Sequence, residues 1–592
     1  MRALLHFILS IAPPVVMCSA AHGMDLLVPA YFQATGASNP WTQLTTAASR
    51  VPITAILNPN SGPGTGVDSN YVTAIANLHA TGGQVIGYVS TVYGTRPIAQ
   101  VKADVDAYRA LYDIDGIFFD EMSNASNSQA VSYYAQLYSY VRTPGSRLRV
   151  VGNPGTNTVE GYFSTATANN IVIFESNTGF DTWTPASFVG NYPGWRSSIL
   201  TYEVPAATLP SYVSLAASRG VGSLYVTDDT AIDQNPWDTL PSYWNSLVTA
   251  TRGVSSIWNR TGSGMWNDGA SWTNGTVPNG VNADVSLMGS ITAPRSVIVE
   301  SPTTVGRLRF ISGQRYVVAG AGTLTMQSSK GRAELGVQLG SHVLNVPLTL
   351  QSELNIELAA GTALSIRDPV TSNGKAIYKL GPGTLKFEST MSEGSLIVGA
   401  GLVEFSSPQT FDALSIKAGN VRLGAPTLTA TTLDVVDGAS IDLGTGVLHT
   451  STSLDAVRAM VVSQQVVSSG TDASHALAVV SNDSTTRIQL ALRGDVDLNG
   501  TVNFTDLLAI AAHFGQPGNW IAGDNTLDGF VRGDDLVGVA RNITGPIDLN
   551  ALQAAGGDAF VSAWLAAASV PEPSTLLVLG LIVPGRRRSR AT

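Results

Sequence analysis

The chain has 592 residues, of which 44% are hydrophobic, so it can bury several cores, and its length suggests about three to five domains. Only 13% of the residues are charged and the net charge is −10, without the basic stripe that nucleic-acid binding needs. Because Cys18 is the only cysteine, the chain can form neither an intramolecular disulfide nor a cysteine-based zinc site. Low charge and 59 glycines are typical of an extracellular β-rich protein.

Residues 1–23 have the three parts of a secretory signal peptide. Arg2 supplies the positive charge, the apolar stretch Ala3–Met17 follows, and the small residues Ser19–Ala21 precede the expected cut. A buried first helix is the alternative, which two adjacent prolines within the stretch disfavour. Cleavage after Ala21 would leave a mature protein without cysteine.

Residues 570–592 combine a Pro-Glu-Pro motif at Pro571–Pro573, a short apolar run at Thr575–Val583 and an arginine-rich end. The segment resembles the PEP-CTERM sorting signal of Gram-negative bacteria. The resemblance implies a sorting protease as partner and transient anchoring in the inner membrane, followed by a place at the cell surface or in the extracellular matrix. The run is shorter than the roughly 20 residues of a comfortable membrane span.

Residues 24–251 alternate short apolar runs with helix-like segments, which predicts parallel βαβ units. Eight such strands fit one (β/α)8 barrel of the TIM type. A doubly wound open sheet is the alternative, which the lack of a Gly-x-Gly-x-x-Gly turn after the first strand disfavours. The expected strands are Leu26–Phe32, Ile53–Leu57, Val85–Ser90, Gly116–Asp120, Leu148–Gly152, Ile171–Glu175, Ile199–Glu203 and Ser223–Thr227.

Residues 252–451 lose the helical periodicity and consist of short alternating pieces separated by Gly, Asn and Ser. Many short strands of this kind predict a β-solenoid, with a β-sandwich as the alternative. The stretch Gly381–Phe387 and the tryptophan-rich entry at Trp258, Trp266 and Trp272 resemble the autotransporter-associated β-strand repeats of bacterial surface proteins. A connecting segment of mixed texture follows at 452–493.

Residues 494–546 contain a calcium-loop pattern, with oxygen-bearing side chains at positions 1, 3, 5, 9 and 12 and Gly500 at the sharp turn. The pattern and its second copy resemble the duplicated loop of a type I dockerin, which implies structural Ca²⁺ and a cohesin-like partner. Thr526 and Arg532 replace two ligands of the second copy, so weaker binding is expected there. The expected ligands are Asp495, Asp497, Asn499, Thr501, Asn503 and Asp506, then Asp524, Asp528 and Asp535. Residues 547–569 are expected to be a linker.

Carboxylates follow several predicted barrel strands, at the end where barrel enzymes place their active sites. Asp120 and Glu121 follow one apolar strand and Glu175 ends another. A charge directly after buried strand residues is costly to hold unless a site or a partner uses it. Asp228 and Asp229, after the last strand, are better explained as the start of a solvated loop.

The first region resembles the spherulin-4 family over nearly its whole length. The residues that carry the resemblance include the Asn58–Gly64 run, Gly87–Thr91 and the Asp115–Glu121 run. The resemblance implies a barrel-fold glycoside hydrolase that cuts galactosamine-containing exopolysaccharide. It also implies that Asp120, Glu121 and Glu175 are the essential acids, and no cofactor is expected for catalysis.

In such a site one carboxyl protonates the leaving oxygen and another stabilises or traps the oxocarbenium-like centre. We assign Glu175 as the general acid, Asp120 as the nucleophile or stabiliser and Glu121 as a group that tunes the pair or binds substrate; the first two roles could be reversed. The rival hypothesis is a non-catalytic surface protein whose barrel only binds glycan. The expected substrate-binding residues are Tyr31, Trp41, Asn58, Tyr88, Tyr93 and Trp237.

Overall fold

A computed structural model describes residues 23–569 except 37–38, 144–147, 234, 425–426 and 483. The predicted sorting signal at 570–592, and the predicted signal peptide apart from Gly23, lie outside these residues. Within the described part of the chain, no helix is long and apolar enough to cross a membrane. The described residues divide into two compact units, one that runs to residue 389 and includes 399–401, and one that comprises 390–398 and the described residues from 402 onward.

The first unit begins with a closed barrel of eight parallel strands in sequential order. This confirms the predicted barrel and excludes the open sheet. Each strand is mostly buried, as expected when helices cover the outside and side chains fill the inside. The strands are β1 Asp25–Ala30, β2 Ile53–Leu57, β3 Gln84–Ser90, β4 Gly116–Asp120, β5 Arg149–Gly152, β6 Asn170–Ser176, β7 Ser197–Thr201 and β8 Ser223–Val226.

Three of the barrel helices begin at a side chain that accepts a hydrogen bond from the first helical turn. Asp68 accepts from the amide of Asn70, and Asn127 from that of Ala130. The helices are α1 Pro40–Ala48, α2 Ser69–Ala80, α3 Ile98–Leu111, α4 Ser128–Val141, α5 Gly161–Ser164, α6 Leu209–Ser218 and α7 Trp244–Val254. Short 3₁₀ turns occupy Val92–Gly94, Ser187–Asn191, Gly194–Arg196 and Ala231–Asp233.

The rest of the first unit consists of three ladders in which every neighbouring pair of strands is parallel. The first ladder contains Ser256–Ile257, Asp284–Leu287, Arg307–Ile311, Ala333–Leu339, Leu354–Leu358 and Ala376–Leu380. The second contains Gly264–Met265, Arg295–Ile298, Tyr316–Ala319, Ser341–Asn345, Ala363–Ile366 and Thr384–Phe387. The third contains Thr303–Val305, Leu324–Met326, Leu348–Leu350 and Val370–Thr371.

Four successive turns of the chain thus add one strand to each of the three ladders, as in a β-solenoid and unlike the antiparallel sheets of a sandwich. Alternate side chains point inward, so that in Leu354–Leu358 the leucines and the isoleucine are buried and the polar residues are partly exposed. Three tryptophans form the core of the first turn: Trp258, Trp266 and Trp272. All three are almost fully buried, and the ring of Trp272 meets the other two edge to face.

The second unit continues with parallel strands of its own. One ladder contains Ser395–Val398, Gln409–Ile416, Thr427–Val435 and Val447–Thr450, and another contains Leu402–Phe405, Asn420–Leu423, Ser440–Asp442 and Val466–Val467. A short strand lies at Met391–Ser392. The expected connecting segment instead holds a helix, Leu454–Val462, and an antiparallel hairpin, His475–Asn482 with Thr485–Leu492, that pairs with Val447–Thr450.

Three helices end the described chain: Phe504–His513, Gly533–Asn542 and Leu549–Ala568, with a 3₁₀ turn at Trp520–Ala522. The prediction of a linker at 547–569 is wrong. Phe560 and Trp564 of the last helix are buried against Leu507 and Leu536 of the two preceding helices, so this segment supplies a third of a small core. We call residues 494–569 the helical module.

A buried ionic cluster joins the barrel to the parallel ladders within the first unit. Arg307, which is 1% exposed, contacts Asp25 at 3.2 Å and also pairs with Asp284. Arg309 donates to both oxygens of Asp25 at 2.8 Å. Asp25 opens β1, so the cluster lies at the N-terminal ends of the barrel strands, the end associated with stability rather than chemistry.

Candidate active site

The two carboxylates expected to do chemistry lie where their strands leave the barrel. Asp120 is the last residue of β4, and Glu175 is the next-to-last residue of β6. Both side chains are partly buried, after strand residues that are buried throughout. The C-terminal ends of neighbouring parallel strands meet at one end of a barrel, and this brings the two acids together.

Asn153 joins the two acids, and the sequence analysis did not select it. Its Nδ2 donates to Asp120 Oδ1 and to Glu175 Oε2, both at 2.7 Å. The backbone of Asn153 is held on both sides, because its amide donates to the carbonyl of Phe119 and its carbonyl accepts from Met122. The side chain is 6% exposed, and the other amide atom, Oδ1, has no hydrogen-bond partner among the described residues.

Tyr88 is the second neutral donor to this pair. Its hydroxyl donates to the carboxylate of Asp120, and its ring meets Tyr31 edge to face at 5.6 Å. Burial and the charge of Asp120 raise the pKa of the Tyr88 hydroxyl well above its usual range, so it remains a donor at any physiological pH. Tyr31 and Tyr88, two of the expected substrate-binding residues, therefore lie close to Asp120.

Burial changes the acidity of both carboxyls. It raises the pKa of Glu175 to about 7, the nearby charge of Asp120 acts in the same direction, and the hydrogen bond from Asn153 opposes them. Burial also raises the pKa of Asp120, and the hydrogen bonds from the Glu121 backbone, Asn153 and Tyr88 oppose it. Both carboxyls are therefore harder to ionise than in water, and the pKa of Glu175 is raised to about 7.

Glu121 is held in a strained conformation beside Asp120. Its φ is 50°, in the left-handed region that non-glycine residues rarely adopt. Its Oε2 accepts from the hydroxyl of Ser90 at 2.5 Å, and its carbonyl accepts from the amide of Tyr93 at 2.7 Å. Tyr93, in the loop after β3, also has a left-handed backbone, with φ of 54°. Its side chain is 64% exposed and lies next to Glu121.

The other acids at this end of the barrel have different surroundings. Glu203, also at positive φ, accepts from Asn177 at 2.8 Å and from the amide of Ala231, and these bonds lower its pKa. Asp228 accepts from Ser242, and Asp229 from Thr239. The last two acids organise the loop after β8, in agreement with the structural role expected for them.

Burial contradicts the predicted substrate-binding role of Trp41 and Trp237. Trp41 is 1% exposed, its ring packs edge-on against Phe32 and Tyr71, and its indole nitrogen donates to the Phe32 carbonyl, so no ring face is free for a sugar. Trp237 is 6% exposed and packs against Tyr202 and Tyr225.

Asn58 lies in the loop after β2, where its Oδ1 accepts from the amide of Gly62 at 2.9 Å. This bond shapes the turn of the Asn58–Gly64 run. Nothing among the described contacts of Asn58 joins it to the acid pair.

A second acidic site lies in the helical module, at the loop 495–506. One oxygen from each of Asp495, Asp497 and Asp506 lies within 4.8 Å of the others. Asn499 and Asn503 lie in the same loop, and their side-chain oxygens cap backbone amides two residues later. A set of carboxylate and amide oxygens of this kind suits a hard cation such as Ca²⁺.

A family model and a curated relative show the family to which this chain belongs. The model of Spherulation-specific family 4 matches residues 25–251. Spherulin-4 of Physarum polycephalum is 31% identical over 252 residues, which cover 40% of this chain and 74% of the relative. The crystal structure of Aspergillus clavatus Sph3 in complex with GalNAc is 24% identical, with a TM-score of 0.33 over 39% of this chain and 98% of that one. The chain thus belongs to the spherulin-4 family, through a barrel whose open end carries Asp120, Asn153 and Glu175.

Proposed function

We propose that the barrel is a secreted glycosidase that cuts within an extracellular polysaccharide. The observation that carries the proposal is the pair of carboxylates, Asp120 and Glu175, held by one amide nitrogen at the barrel's C-terminal end. Two carboxyls in different surroundings are what glycoside hydrolysis needs. Glu175 is the general acid, Asp120 the nucleophile or stabiliser, and Glu121 tunes the pair or binds substrate.

The surroundings of the two acids support this division of roles. A general acid must hold its proton at the working pH, and Glu175 has its pKa raised to about 7 by burial and by Asp120. Asp120 receives hydrogen bonds from both Asn153 and Tyr88, which favour its charged form. A carboxylate in that state can stabilise positive charge at the anomeric carbon or form a bond to it.

The spacing of the acids favours retention of the anomeric configuration. Because both carboxylate oxygens lie 2.7 Å from the same nitrogen, they cannot be more than twice that distance apart. Inverting enzymes separate their carboxyls by about 6.5–9.5 Å to admit a water, whereas retaining enzymes hold them about 5–5.5 Å apart. NMR of the first product formed should therefore show the anomer of the substrate, and the opposite anomer would contradict a double displacement.

The charge of the site supports an amino-sugar polymer, similar to galactosaminogalactan, as substrate. Asp120, Glu121 and Glu175 lie together, and no arginine or lysine among the described residues pairs with any of them. Uncompensated negative charge attracts a sugar with a free amine and repels a uronic acid. The exposed ring of Tyr93 is available to stack on a sugar at the edge of this site.

The test is a reducing-end assay of the full chain on a panel of neutral, acidic and amino-sugar polysaccharides. We expect cleavage of amino-sugar polymers, with at least about a thousandfold loss in Asp120→Asn and in Glu175→Gln. Glu203→Gln is the matched control, since it removes an acid at the same end of the barrel that does not contact the pair. Binding without cleavage by the wild type would instead support the alternative, a non-catalytic glycan-binding surface protein.

We also propose that the loop 495–506 binds one Ca²⁺ and that the helical module is dockerin-like, with a cohesin-like domain as partner. Asp495, Asp497, Asn499 and Asn503 would ligate through side chains, Thr501 through its carbonyl, and Asp506 at the last position. Calcium titration by calorimetry tests this, with Asp497→Ala expected to abolish binding. Unchanged binding in that variant would contradict the assignment.

Export and surface sorting remain proposals that rest on the two terminal segments. Intact-mass measurement of the protein from its native host should give a mass that lacks both 1–23 and the residues after the Pro-Glu-Pro motif. A surface-located protein that keeps its arginine-rich end would contradict the sorting-signal interpretation.

A further inference from the structure

The two acidic loops of the helical module share one backbone framework. The carboxylates of Asp495 and Asp524, the first residue of each loop, accept from the amides four and five residues later, at 3.0 and 2.9 Å in the first loop and 3.1 and 2.9 Å in the second. The carboxylates of Asp506 and Asp535, the last residue of each, accept from the amides ten and three residues earlier. The backbone therefore gives both loops the same capacity to surround a cation.

A side chain from outside the loop distinguishes the second from the first. Nη2 of Arg458 lies 2.7 Å from Oδ2 of Asp524, which is fully buried. A side chain at Gly529, the turn residue of this loop, would bring its first carbon to 3.6 Å from the same nitrogen, so the guanidinium lies against the turn itself. Arg458 belongs to the helix Leu454–Val462, 66 residues before its partner. Within the described chain, no arginine or lysine pairs with the acids of the first loop.

The buried charge of Asp524 needs a positive partner, because an uncompensated carboxylate in that position would be strongly destabilising. Arg458 meets this need, and Arg532 pairs with Asp528 at 3.4 Å on the exposed side of the same loop. Two guanidinium groups thus oppose the three acids of the second loop, Asp524, Asp528 and Asp535. An added divalent ion would have to displace Arg458 or lie beside it, against its charge.

We propose that Arg458 is the cation of the second loop: its guanidinium takes the place that a metal ion has in such a loop, and thereby fastens the helical module to the helix Leu454–Val462. The second loop accordingly binds no metal in the native chain. This proposal is independent of the glycosidase, and it uses the proposed calcium site only as a comparison.

A double-mutant cycle in the presence of chelator tests the fastening. Hydrogen exchange of the full chain is measured for the peptide that contains residues 524–542, in Arg458→Met, Asp524→Asn and the double variant. We expect each single change to reduce protection by about tenfold or more, and the double variant to lose much less than the product of the two. Arg532→Met, which removes an exposed arginine of the same loop, is the matched control and should change little. Arg458→Lys should recover part of the protection, and additive effects would overturn the proposal.

A calcium count provides the second readout. The number of ions bound to the full chain is compared with the number bound to Asp528→Ala, which alters only the second loop. An unchanged number is expected. Loss of one ion in Asp528→Ala would place a metal in the second loop and overturn the proposal. A count of zero in both would contradict the proposed calcium site of the first loop, and the exchange cycle would still decide the role of Arg458.

Discussion

The side-chain nitrogen of Asn153 lies 2.7 Å from Oε2 of Glu175, and it lies at the same distance from Asp120. One neutral donor therefore determines how close two acids can come and how the negative charge is divided between them. Because both of its N–H groups are directed at carboxylates, Asn153 favours the charged form of each acid, while burial favours the neutral form. The acidity of Glu175 is a balance of these effects.

Replacing Asn153 by alanine should upset that balance. Loss of a hydrogen bond to the charged form raises the pKa of Glu175 further, so we expect the alkaline limb of the pH–rate profile to move to higher pH. Without the amide, Asp120 and Glu175 are held less precisely relative to each other, which should lower kcat by about 10–100-fold. Asn77→Ala, on the exposed face of α2, is the control. An unchanged pH profile in Asn153→Ala would show that the amide does not set the acidity of the pair.

The wild-type enzyme should lose activity as the pH rises through about 7. Glu175 must carry a proton to act as general acid, and its pKa is raised to about 7 by burial and by Asp120. The measurement is kcat/KM against pH on an amino-sugar polymer at constant ionic strength. A profile that stays flat up to pH 9 would remove Glu175 from the role of general acid.

Glu175→Gln should inactivate the enzyme and also stabilise the fold at alkaline pH. The folded-state pKa is raised, so ionisation at high pH favours the unfolded chain, where the carboxyl is in water. At pH 8 the melting temperature should rise by about 2–4 °C, and at pH 4, where both states are protonated, the gain should disappear. Calorimetry at the two pH values measures this, with Glu203→Gln as the control. A lower melting temperature at pH 8 would contradict the prediction.

Asp284→Asn should have the opposite sign to Glu175→Gln: it should destabilise the first unit at neutral pH, and the loss should shrink in acid. Burial opposes ionisation of Asp284, but Arg307 and Arg309 outweigh it and keep its pKa below the ordinary value. A lowered pKa gives stability that is present above about pH 4 and is lost as the pH falls through the folded-state pKa. The variant should therefore lose about 3–5 kcal/mol at pH 7 and progressively less below pH 4.

Hydrogen exchange of the strand Asp284–Leu287 at pH 7 and at low pH would measure the effect of Asp284→Asn. Asp268→Asn breaks an exposed pair with Arg260 and should change little at either pH. Equal losses for the two variants would show that burial of the cluster does not matter.

The barrel was predictable from sequence because each strand is an apolar run and each helix separates two of them. Strand ends were accurate enough to place Asp120 and Glu175 at one face. Asn153 also comes directly after a barrel strand, as the acids do. A single asparagine after a glycine, however, gives no indication in the sequence that its side chain joins two acids. Trp41 misled because a tryptophan at the start of a helix has the same sequence pattern whether it faces a cleft or, as here, the core.

In the second half of the chain, the acidic loop pattern could be predicted from the sequence, but the residues that pack against the loops could not. Arg458 lies in a segment of mixed texture, and nothing near it in sequence indicates that it reaches Asp524. The segment Leu549–Ala568 was expected to be a linker, although its many alanines favour a helix, and Gly556 and Gly557 interrupt the helical pattern. Its buried side chains, Leu552, Phe560 and Trp564, are too widely spaced across the glycine pair to show one continuous helical stripe.

The ionic cluster at the N-terminal ends of the barrel strands has a practical consequence for recombinant work. A fragment that stops at residue 251 keeps Asp25 but loses both of the arginines that neutralise it, and it leaves Arg149 without Glu334. In such a fragment these charges would be unpaired, on a surface that the rest of the first unit normally covers. Low activity of the fragment would therefore say little about catalysis by the full chain. A fragment that continues through residue 389 keeps all of these pairs together with the open end of the barrel.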